Sequence, residues 1–415
     1  MWQVSAFAGR LNKMDFELTE EQRAIQSLAC EFARNEIQPI AMSLDLASAK
    51  ENFPWELVKK GSKLGLRTLT LPPEWGGIGA DAITQLAVID ELAYVDVSCS
   101  KIFSKNWTAC RYIIAGGTEE QKERFLPLIR DNDTYLLATP GTEPGAGADK
   151  DTGYYDAPPG EGIMTSAKRN GDRYVINGRK HFISHGPTAS LYIFRVRTDP
   201  SAPVSKGVSY MVIPRDTPGV SIGAIHDKIG WRAYPQSEII LENVEVPVEN
   251  LLGGKEGYLN PEVARGGRMI EVPAHQMAVA RAALDAAVAY AGGRRQGGKL
   301  IIQHQSVAQD LAECYTLIEA GRALLWRAAW ADTQKGADRA LSRATHIFCT
   351  EASQKICLTT LRIFGGYGVM REMPIQKYLR DALTMGHGES TERVQKLALA
   401  KLMESRFKAG MPLLV

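Results

Sequence analysis

A single carboxylate near the end of the chain, Glu389, stands in the segment TMGHGESTERVQKLALAKL at 384–402. A carboxylate held beside a bound molecule can remove a proton as a general base. A helical pattern follows the acid, and Ser390 or Thr391 can cap that helix. An acid at this point also complements the positive end of the helix dipole. By itself the segment indicates a helix start and leaves the role of the acid open.

Two other stretches combine glycine with residues that can contact a cofactor. In TEPGAGAD at 142–149, backbone N–H groups without bulky side chains can approach a phosphate or a flat ring, although such loops also serve as simple turns. In RIFGGYGVM at 362–370, Gly365 and Gly366 follow a helical pattern, where local rules require only a helix C-cap. Each signal is weak alone.

The stretch RKHFISHGP at 179–187 is typical of a strand followed by a turn. Strand alternation places Phe182 and Ser184 on one face, and the simplest role of such a face is core packing. His181 and His185 are four residues apart, which is a metal-ligand spacing on a helix but not on a strand. We therefore predict no metal site.

The elements that must position these residues follow a helix, sheet, helix order. Helical spacing prevails in 1–134, where Thr19 and Gln22 predict a capping box. Short β-branched and aromatic runs separated by turns predict a β domain in 135–254, and long alanine-rich helical patterns fill 255–415. The proline- and glycine-rich insert at 151–162 is expected to be a surface loop.

Composition excludes several function classes. The chain has 415 residues, 45% hydrophobic and 23% charged, with a formal net charge of +2 and no long basic run, so we expect no nucleic-acid partner. No apolar run is long enough for a membrane span. Six scattered cysteines without a C-x-x-C pair favour a reducing compartment over disulfides or zinc. The stretch before Met14 is expected to be a start extension, with a short transit peptide as the alternative.

Seven segments in order resemble the acyl-CoA dehydrogenase family over about residues 15 to 405. They are LPPEWGGIGAD, TEPGAGAD, YVINGRKHFIS, ENVEVPVENLLG, RRQGGKLIIQHQ, RIFGGYGVMREMPIQKYLRDA and the Glu389 segment. The resemblance implies an N-terminal helical domain, a β-barrel-like middle domain and a C-terminal four-helix bundle. It further implies noncovalent FAD, an acyl-CoA substrate, a homotetramer built as a dimer of dimers, and an electron-transfer flavoprotein as acceptor. The expected location is cytoplasmic, or the mitochondrial matrix in a eukaryote.

The resemblance also implies which residues hold FAD. Two separate segments, around Thr142 and around Ser184, converge on one flavin, while a further group acts across a dimer contact. The complete predicted set is Thr139, Gly141, Thr142, Gly147, Ala148, Phe182, Ile183, Ser184, Arg294, Gln305, Arg362, Gly365, Gly366 and Thr391.

Counted without a gap from both flanking motifs, Glu389 matches the position of the family's catalytic base. The implied reaction removes the α-proton of the thioester with this carboxylate and transfers a hydride from Cβ to flavin N5. Some family members carry the base on an earlier helix, at the position of Arg268 here. Glu271 lies one turn further on and keeps that alternative open.

The departures from the family pattern concern the substrate. The residues expected to contact it are Ala148, Arg268, Gly388 and Ser390. Because Gly388 replaces a bulky residue before the base, we expect extra volume there and a branched, cyclic or otherwise bulky acyl group. The segment WRAYPQSE at 231–238 also departs from the family's small polar run. Cys99, which stands where glutaryl-CoA dehydrogenases have an arginine, argues against a glutaryl substrate.

Two alternatives to dehydrogenation remain open. One keeps the flavin and changes the reaction to that of an oxidase, a monooxygenase or a lyase. The other is a noncatalytic protein that binds acyl thioesters.

Overall fold

The computed structural model describes residues 16–47, 53–147, 156–257, 268–335, 338–388 and 391–413. Glu389, Ser390 and Ala148 lie outside these ranges, as do the residues before Phe16 and the first part of the 151–162 insert. Residues 156–162 form turns that are mostly exposed.

Helices form the N-terminal part of the chain. The predicted capping box is confirmed, because the Thr19 hydroxyl accepts from the Gln22 amide and the Gln22 side chain accepts from the Thr19 amide. A second capping box, at Thr118 and Gln121, starts the last helix of this group. The helices are α1 (Glu20–Phe32), α2 (Ala41–Leu46), α3 (Trp55–Lys63), α4 (Ala82–Val95), α5 (Val97–Gly116) and α6 (Glu119–Asp131).

A seven-stranded sheet forms the middle of the chain, in the order β1-β4-β2-β3-β7-β6 with β5 paired to β4. The long strands β3 and β7 pair antiparallel, with shifts of register at two bulges. Tyr192, Phe194 and their neighbours form a core on one face. The strands are β1 (Leu137–Ala138), β2 (Ser166–Asn170), β3 (Arg173–Ser184), β4 (Leu191–Arg197), β5 (Val208–Pro214), β6 (Val220–Ile225) and β7 (Gln236–Pro247), with a short helix α7 (Val204–Gly207) before β5.

Long helices return after the sheet and share one hydrophobic core with the N-terminal helices. As predicted, a glycine ends one of these helices, Arg339–Ile363. Gly365 comes just after the C-cap Phe364 and has φ 57°. A two-stranded ribbon of β8 (Arg295–Gln296) and β9 (Lys299–Leu300) follows the first of these helices. The helices are α8 (Arg268–Gly293), α9 (Gln305–Lys335), α10 (Arg339–Ile363), α11 (Pro374–Met385) and α12 (Glu392–Lys408).

The helix, sheet, helix order is confirmed, whereas the exact boundaries at 134 and 254 stay predictions. All six cysteines are free thiols, five of them buried. Among the described residues, no helix is long and apolar enough to cross a membrane.

Candidate active site

The segment after β1 forms a tight turn that buried ionic contacts hold in place. The backbone groups of Glu143 and Ala146 bond to each other in both directions and close the turn. The Glu143 carboxylate is buried and accepts four hydrogen bonds, from the amides of Met164 and Thr165, the Thr165 hydroxyl and Lys180 Nζ at 2.6 to 3.0 Å. Thr139, Gly141, Thr142 and Gly147 on this segment remain half-buried.

The Glu143–Lys180 ion pair is completed by these donors. Burial raises the pKa of the Glu143 carboxyl, but the charge of Lys180 and the hydrogen bonds outweigh burial, so the pKa lies below its usual value. Both carboxylate oxygens of Glu143 have partners: Met164 donates to Oε2, and Thr165 and Lys180 donate to Oε1. The Glu143 carboxylate therefore stays ionised and holds the turn through its hydrogen bonds.

This turn lies directly against the end of β3. The amide of His181 donates to the carbonyl oxygen of Thr142 at 2.9 Å, so the two segments predicted to converge do lie side by side. Phe182 has φ 56° at a bulge and the residue is 56% exposed, whereas Ile183 is buried. Core packing, expected for Phe182 from alternation alone, is wrong because the bulge turns this residue outward.

His185 follows the triplet and is fully buried. Its Nδ1 lies 3.3 Å from the carbonyl oxygen of Leu137, and burial lowers the pKa of the imidazole to about 3. The ring is therefore neutral at physiological pH. Among the described residues, no group of three or more His, Cys, Asp or Glu side chains is placed to hold a metal ion.

A loop at 231–236 connects the β3 end to the segment that carries Glu389. Gln236 Nε2 donates to the Ser184 hydroxyl at 3.1 Å, and the Tyr234 ring packs against His185 at 4.9 Å. At its other end, Trp231 is almost fully buried and lies against Gly388: a Cβ built on Gly388 would be 2.9 Å from Trp231 Cη2.

This contact corrects the expectation of open volume at Gly388. The indole of Trp231 already occupies the space beside the glycine. Two departures from the family pattern, the small residue at 388 and the large one at 231, therefore compensate each other sterically. Gly388 therefore opens no extra volume on the side that Trp231 occupies.

The helix after Glu389 begins as predicted. Thr391 is the N-cap of α12, and its hydroxyl accepts from the Val394 amide at 3.4 Å. Glu389 is thus two residues before the N-cap and directly follows Gly388, which packs on Trp231. Arg268 begins α8, and its side chain lies outside the described part of the chain.

A stripe of polar side chains on α5 runs past this site inside the protein. Lys101 Nζ donates to Glu271 Oε1 at 2.8 Å, and both side chains are at most 4% exposed. The Ser104 hydroxyl donates to the same oxygen. Lys105 Nζ donates to the Thr139 hydroxyl at 2.9 Å, which ties the helix to the turn after β1.

His275, one turn beyond Glu271 on α8, completes this stripe. Its Nδ1 lies 2.7 Å from the carbonyl oxygen of Glu271 and its Nε2 lies 3.0 Å from the Ser100 hydroxyl. Because a carbonyl only accepts, Nδ1 carries the proton and donates. The imidazole is thereby held in one orientation between α5 and α8.

A second buried ionic cluster binds the backbone of Trp231. Lys377 Nζ lies 2.8 Å from Asp96 and 2.6 Å from Asp381, all buried, and the Trp231 amide donates to Asp381 at 2.8 Å. Burial lowers the pKa of Lys377, but the two carboxylates raise it well above its usual value, so the lysine is charged. Asp96 also caps α5 through the Cys99 amide. This cluster connects all three parts of the chain.

Comparison with known proteins assigns each part of this architecture. Residues 19–133, 138–244 and 267–403 match the acyl-CoA dehydrogenase N-terminal, middle and C-terminal domains. The short-chain specific acyl-CoA dehydrogenase of Clostridium acetobutylicum is 34% identical over 393 residues, 93% of this chain and 99% of the relative. The chain belongs to the acyl-CoA dehydrogenase family.

Two further members of the acyl-CoA dehydrogenase family show its range. The 3-(aryl)acrylate reductase of Clostridium sporogenes is 34% identical over 386 residues, 92% of this chain and 98% of the relative. The structure of butyryl-CoA dehydrogenase from Megasphaera elsdenii is 31% identical with a TM-score of 0.86, covering 94% of this chain and all of that one. The protein is an oxidoreductase of this family and uses FAD.

The described residues fit FAD at the turn after β1. The half-buried Thr142 and Ser184 lie beside the exposed ring of Phe182, whose outward orientation leaves an aromatic face for a flat partner. Gly145 leaves open space where a Cβ would be. These features suit a flavin held by backbone and hydroxyl groups.

The residues predicted to act across a dimer contact form a separate group. Arg294 lies 5.9 Å from the Tyr367 ring centroid, which places it beside Gly365 and Gly366. Arg294, Gln305 and Arg362 are all exposed.

Sequence reasoning did not assign a role to Lys101, Ser104 or Trp231. One signal was available, because Ser100, Lys101, Ser104 and Lys105 recur at helical spacing and so share one face of α5. The partner of this stripe, Glu271, is 170 positions away in the sequence, and no local pattern links the two.

Proposed function

We propose that this protein catalyses α,β-dehydrogenation of an acyl-CoA thioester to the 2-enoyl-CoA, with Glu389 as the base that removes the α-proton. The supporting observation is the loop at 231–236, which contacts both Ser184 and Gly388. It brings the segment with the proposed base next to the segment with the proposed flavin contacts. A thioester bound between them would face both groups.

Each part of the chain has a distinct role in this proposal. Thr142, Ser184 and Thr391 would contact the flavin, and FAD when bound supplies a hydride acceptor at N5. Glu389 takes the proton, and its position in the sequence, two residues before the N-cap of α12, favours its ionised form. The polar stripe on α5 and α8 borders the acyl group.

The remaining FAD residues are proposed in two groups. The first comes from the segment that follows β1 in the sequence and from β3, and the second from the C-terminal part of the chain, where a second subunit would complete the site. The first group is Thr139, Gly141, Gly147, Ala148, Phe182 and Ile183; the second is Arg294, Gln305, Arg362, Gly365 and Gly366. Substrate contacts are proposed for Ala148, Arg268, Gly388 and Ser390.

For the acyl group we propose a branched or cyclic structure. The support comes from the family, since a relative of equal identity to the short-chain enzyme is named as a 3-(aryl)acrylate reductase. Cys99 is fully buried, and burial and then Asp96 raise the pKa of its thiol well above the usual value. A neutral thiol at this position does not provide a cationic contact for the distal carboxylate of a glutaryl group.

The test is anaerobic bleaching of the flavin by a panel of acyl-CoA esters, with wild type and Glu389→Gln compared. Loss of a positioned base should slow flavin reduction by about 10²-fold to 10⁴-fold. The matched control is Glu392→Gln, which removes an acid from the first turn of the same helix. If Glu389→Gln reduces its flavin as fast as wild type and Glu271→Gln does not, the base is Glu271 and the assignment to Glu389 is wrong.

The other proposals concern partners and location. We propose a homotetramer, a cytoplasmic location and an electron-transfer flavoprotein as acceptor. Rapid oxygen consumption during turnover would instead indicate an oxidase or monooxygenase, and product formed without flavin reduction would indicate a lyase. A purified protein that does not take up FAD would indicate a noncatalytic thioester-binding protein.

A further inference from the structure

The Lys101–Glu271 ion pair is incomplete. Oε1 of Glu271 accepts from both Lys101 and Ser104. Among the described residues, no group donates to Oε2, although the side chain is only 4% exposed. A buried carboxylate oxygen without a donor is costly, so native proteins normally supply one. Something outside the described part of the molecule is expected to fill this role.

A second buried polar atom, on a side chain that also neighbours Lys101, lacks a partner among the described residues. Trp231 is 2% exposed, and its indole N–H donates to no acceptor in the described ranges. Lys101 Nζ, which bonds Glu271, is 5.5 Å from the Trp231 ring centroid. One acceptor and one donor, both unsatisfied, therefore belong to side chains that share Lys101 as a neighbour.

The position of this group relates it to the proposed reaction. Trp231 contacts Gly388, the residue before the proposed base. Glu271 lies on α8 less than one turn after Arg268, a proposed substrate contact. Trp231 and Glu271 therefore lie beside residues that are proposed to contact the acyl group or to precede the base.

We propose that Glu271 and Trp231 form a recognition site for a hydroxyl group on the acyl chain, placed beyond Cβ of the thioester. This inference rests on the proposed acyl-CoA substrate. The hydroxyl donates to Glu271 Oε2 and accepts from the Trp231 indole N–H. Glu271 is then a specificity-determining residue, and Lys101 positions its carboxylate.

Charge balance favours a neutral hydroxyl over an ionic group. Lys101 already neutralises Glu271 at 2.8 Å. An acyl carboxylate would meet the Glu271 oxygen as a like charge, and an acyl ammonium would bring a second cation into a buried site with one carboxylate. A hydrocarbon would leave both polar atoms unsatisfied.

The test uses matched CoA esters that differ at one substituent. One series is hexanoyl-CoA with a hydroxyl, keto or methyl group at the fifth carbon. The other is cyclohexanecarboxyl-CoA with the same substituents at the ring carbon opposite the carboxyl. Anaerobic flavin reduction is measured for each ester, and calorimetry gives Kd for the corresponding 2-enoyl-CoA products. In wild type we expect the hydroxyl ester of at least one series to be favoured over the methyl ester by about 10-fold to 100-fold in both measurements.

Glu271→Gln provides a signature that loss of packing would not produce. Because Lys101 and Ser104 both donate to Oε1, the amide oxygen takes that position and the amide N–H₂ replaces Oε2. The variant therefore has a hydrogen-bond donor where wild type has the acceptor Oε2. We expect the preference for the keto ester over the methyl ester, in reduction rate and in Kd, to be about 5-fold to 10-fold greater in the variant than in wild type.

A second variant provides an independent test if Glu271→Gln folds poorly. Lys101→Met/Glu271→Leu removes both charges together and should favour the methyl ester over the hydroxyl ester. Equal reduction rates and equal Kd values for hydroxyl and methyl esters in wild type would overturn the recognition site while leaving dehydrogenation intact. Tight hydroxyl-dependent binding of enoyl esters without any flavin reduction would instead support the site and contradict the proposed reaction.

Discussion

Two buried lysine–glutamate pairs, Glu143–Lys180 and Lys101–Glu271, differ in how completely they are satisfied. At Glu143 both carboxylate oxygens accept hydrogen bonds, two of them from backbone amides. At Glu271 one oxygen accepts two bonds, and the other has no donor among the described residues. The first pair holds a backbone turn, and the second leaves a polar atom for a ligand. Burial of an ion pair therefore does not by itself reveal its purpose.

The largest expected difference appears when each pair is replaced by apolar residues. Glu143→Leu/Lys180→Met strands two backbone amides and the Thr165 hydroxyl, at about 1–3 kcal/mol each, so the free energy of unfolding should fall by at least about 3 kcal/mol. Lys101→Met/Glu271→Leu strands only the Ser104 hydroxyl, and a buried pair replaced by apolar groups is itself often neutral, so this variant should lose only about 1–3 kcal/mol. Urea denaturation with constant excess FAD measures both.

The corresponding single variants serve as controls for this comparison. Lys180→Met and Lys101→Met each leave a buried carboxylate unpaired, and both should lose about 3–5 kcal/mol. Equal losses in the two double variants would show that the two pairs do not differ in kind.

A smaller effect is expected at Gly388, the residue before the proposed base. Gly388→Ala places a methyl group 2.9 Å from Trp231 Cη2, and overpacking should cost about 1–3 kcal/mol together with slower flavin reduction. Adding Trp231→Leu should restore much of the stability. The control is Gly292→Ala on α8, where a Cβ meets nothing within 4 Å. Additive losses in Gly388→Ala/Trp231→Leu would rule out the compensation.

The smallest effect concerns pH. The pKa of Glu143 is lowered in the folded protein. Its contribution to stability is therefore fully present above the ordinary glutamate pKa of about 4.3 and is lost as the pH falls through the folded pKa. Comparing the acid limb of stability between wild type and Glu143→Gln should show a shallower slope in the variant. An identical slope in the two proteins would contradict a lowered pKa.

Local patterns were sufficient where a few neighbouring residues decide the structure. The capping box at Thr19, the left-handed glycine Gly365 after the C-cap of α10 and the N-cap at Thr391 each depend on contacts within one turn, and all three are present. The order of helices and strands followed from periodicity for the same reason. Phe182 was misjudged because a bulge interrupts the alternation on which its prediction relied.

Contacts between distant segments could not be predicted this way. Gly388 and Trp231 were each recognised as departures from the family, but only the structure shows that one fills the space left by the other. The fully satisfied Glu143 and the half-satisfied Glu271 are indistinguishable in the sequence, as both are glutamates near glycine, proline or apolar residues.

The sequence by itself determined the family, the succession of elements and the place of Glu389 before a capped helix, because motif order and short-range hydrogen bonding are written along the chain. Tertiary structure alone decided which charges meet. Lys101 reaches Glu271 across 170 positions only because α5 and α8 pack together, and an unpaired oxygen exists only relative to the groups that folding brings around it.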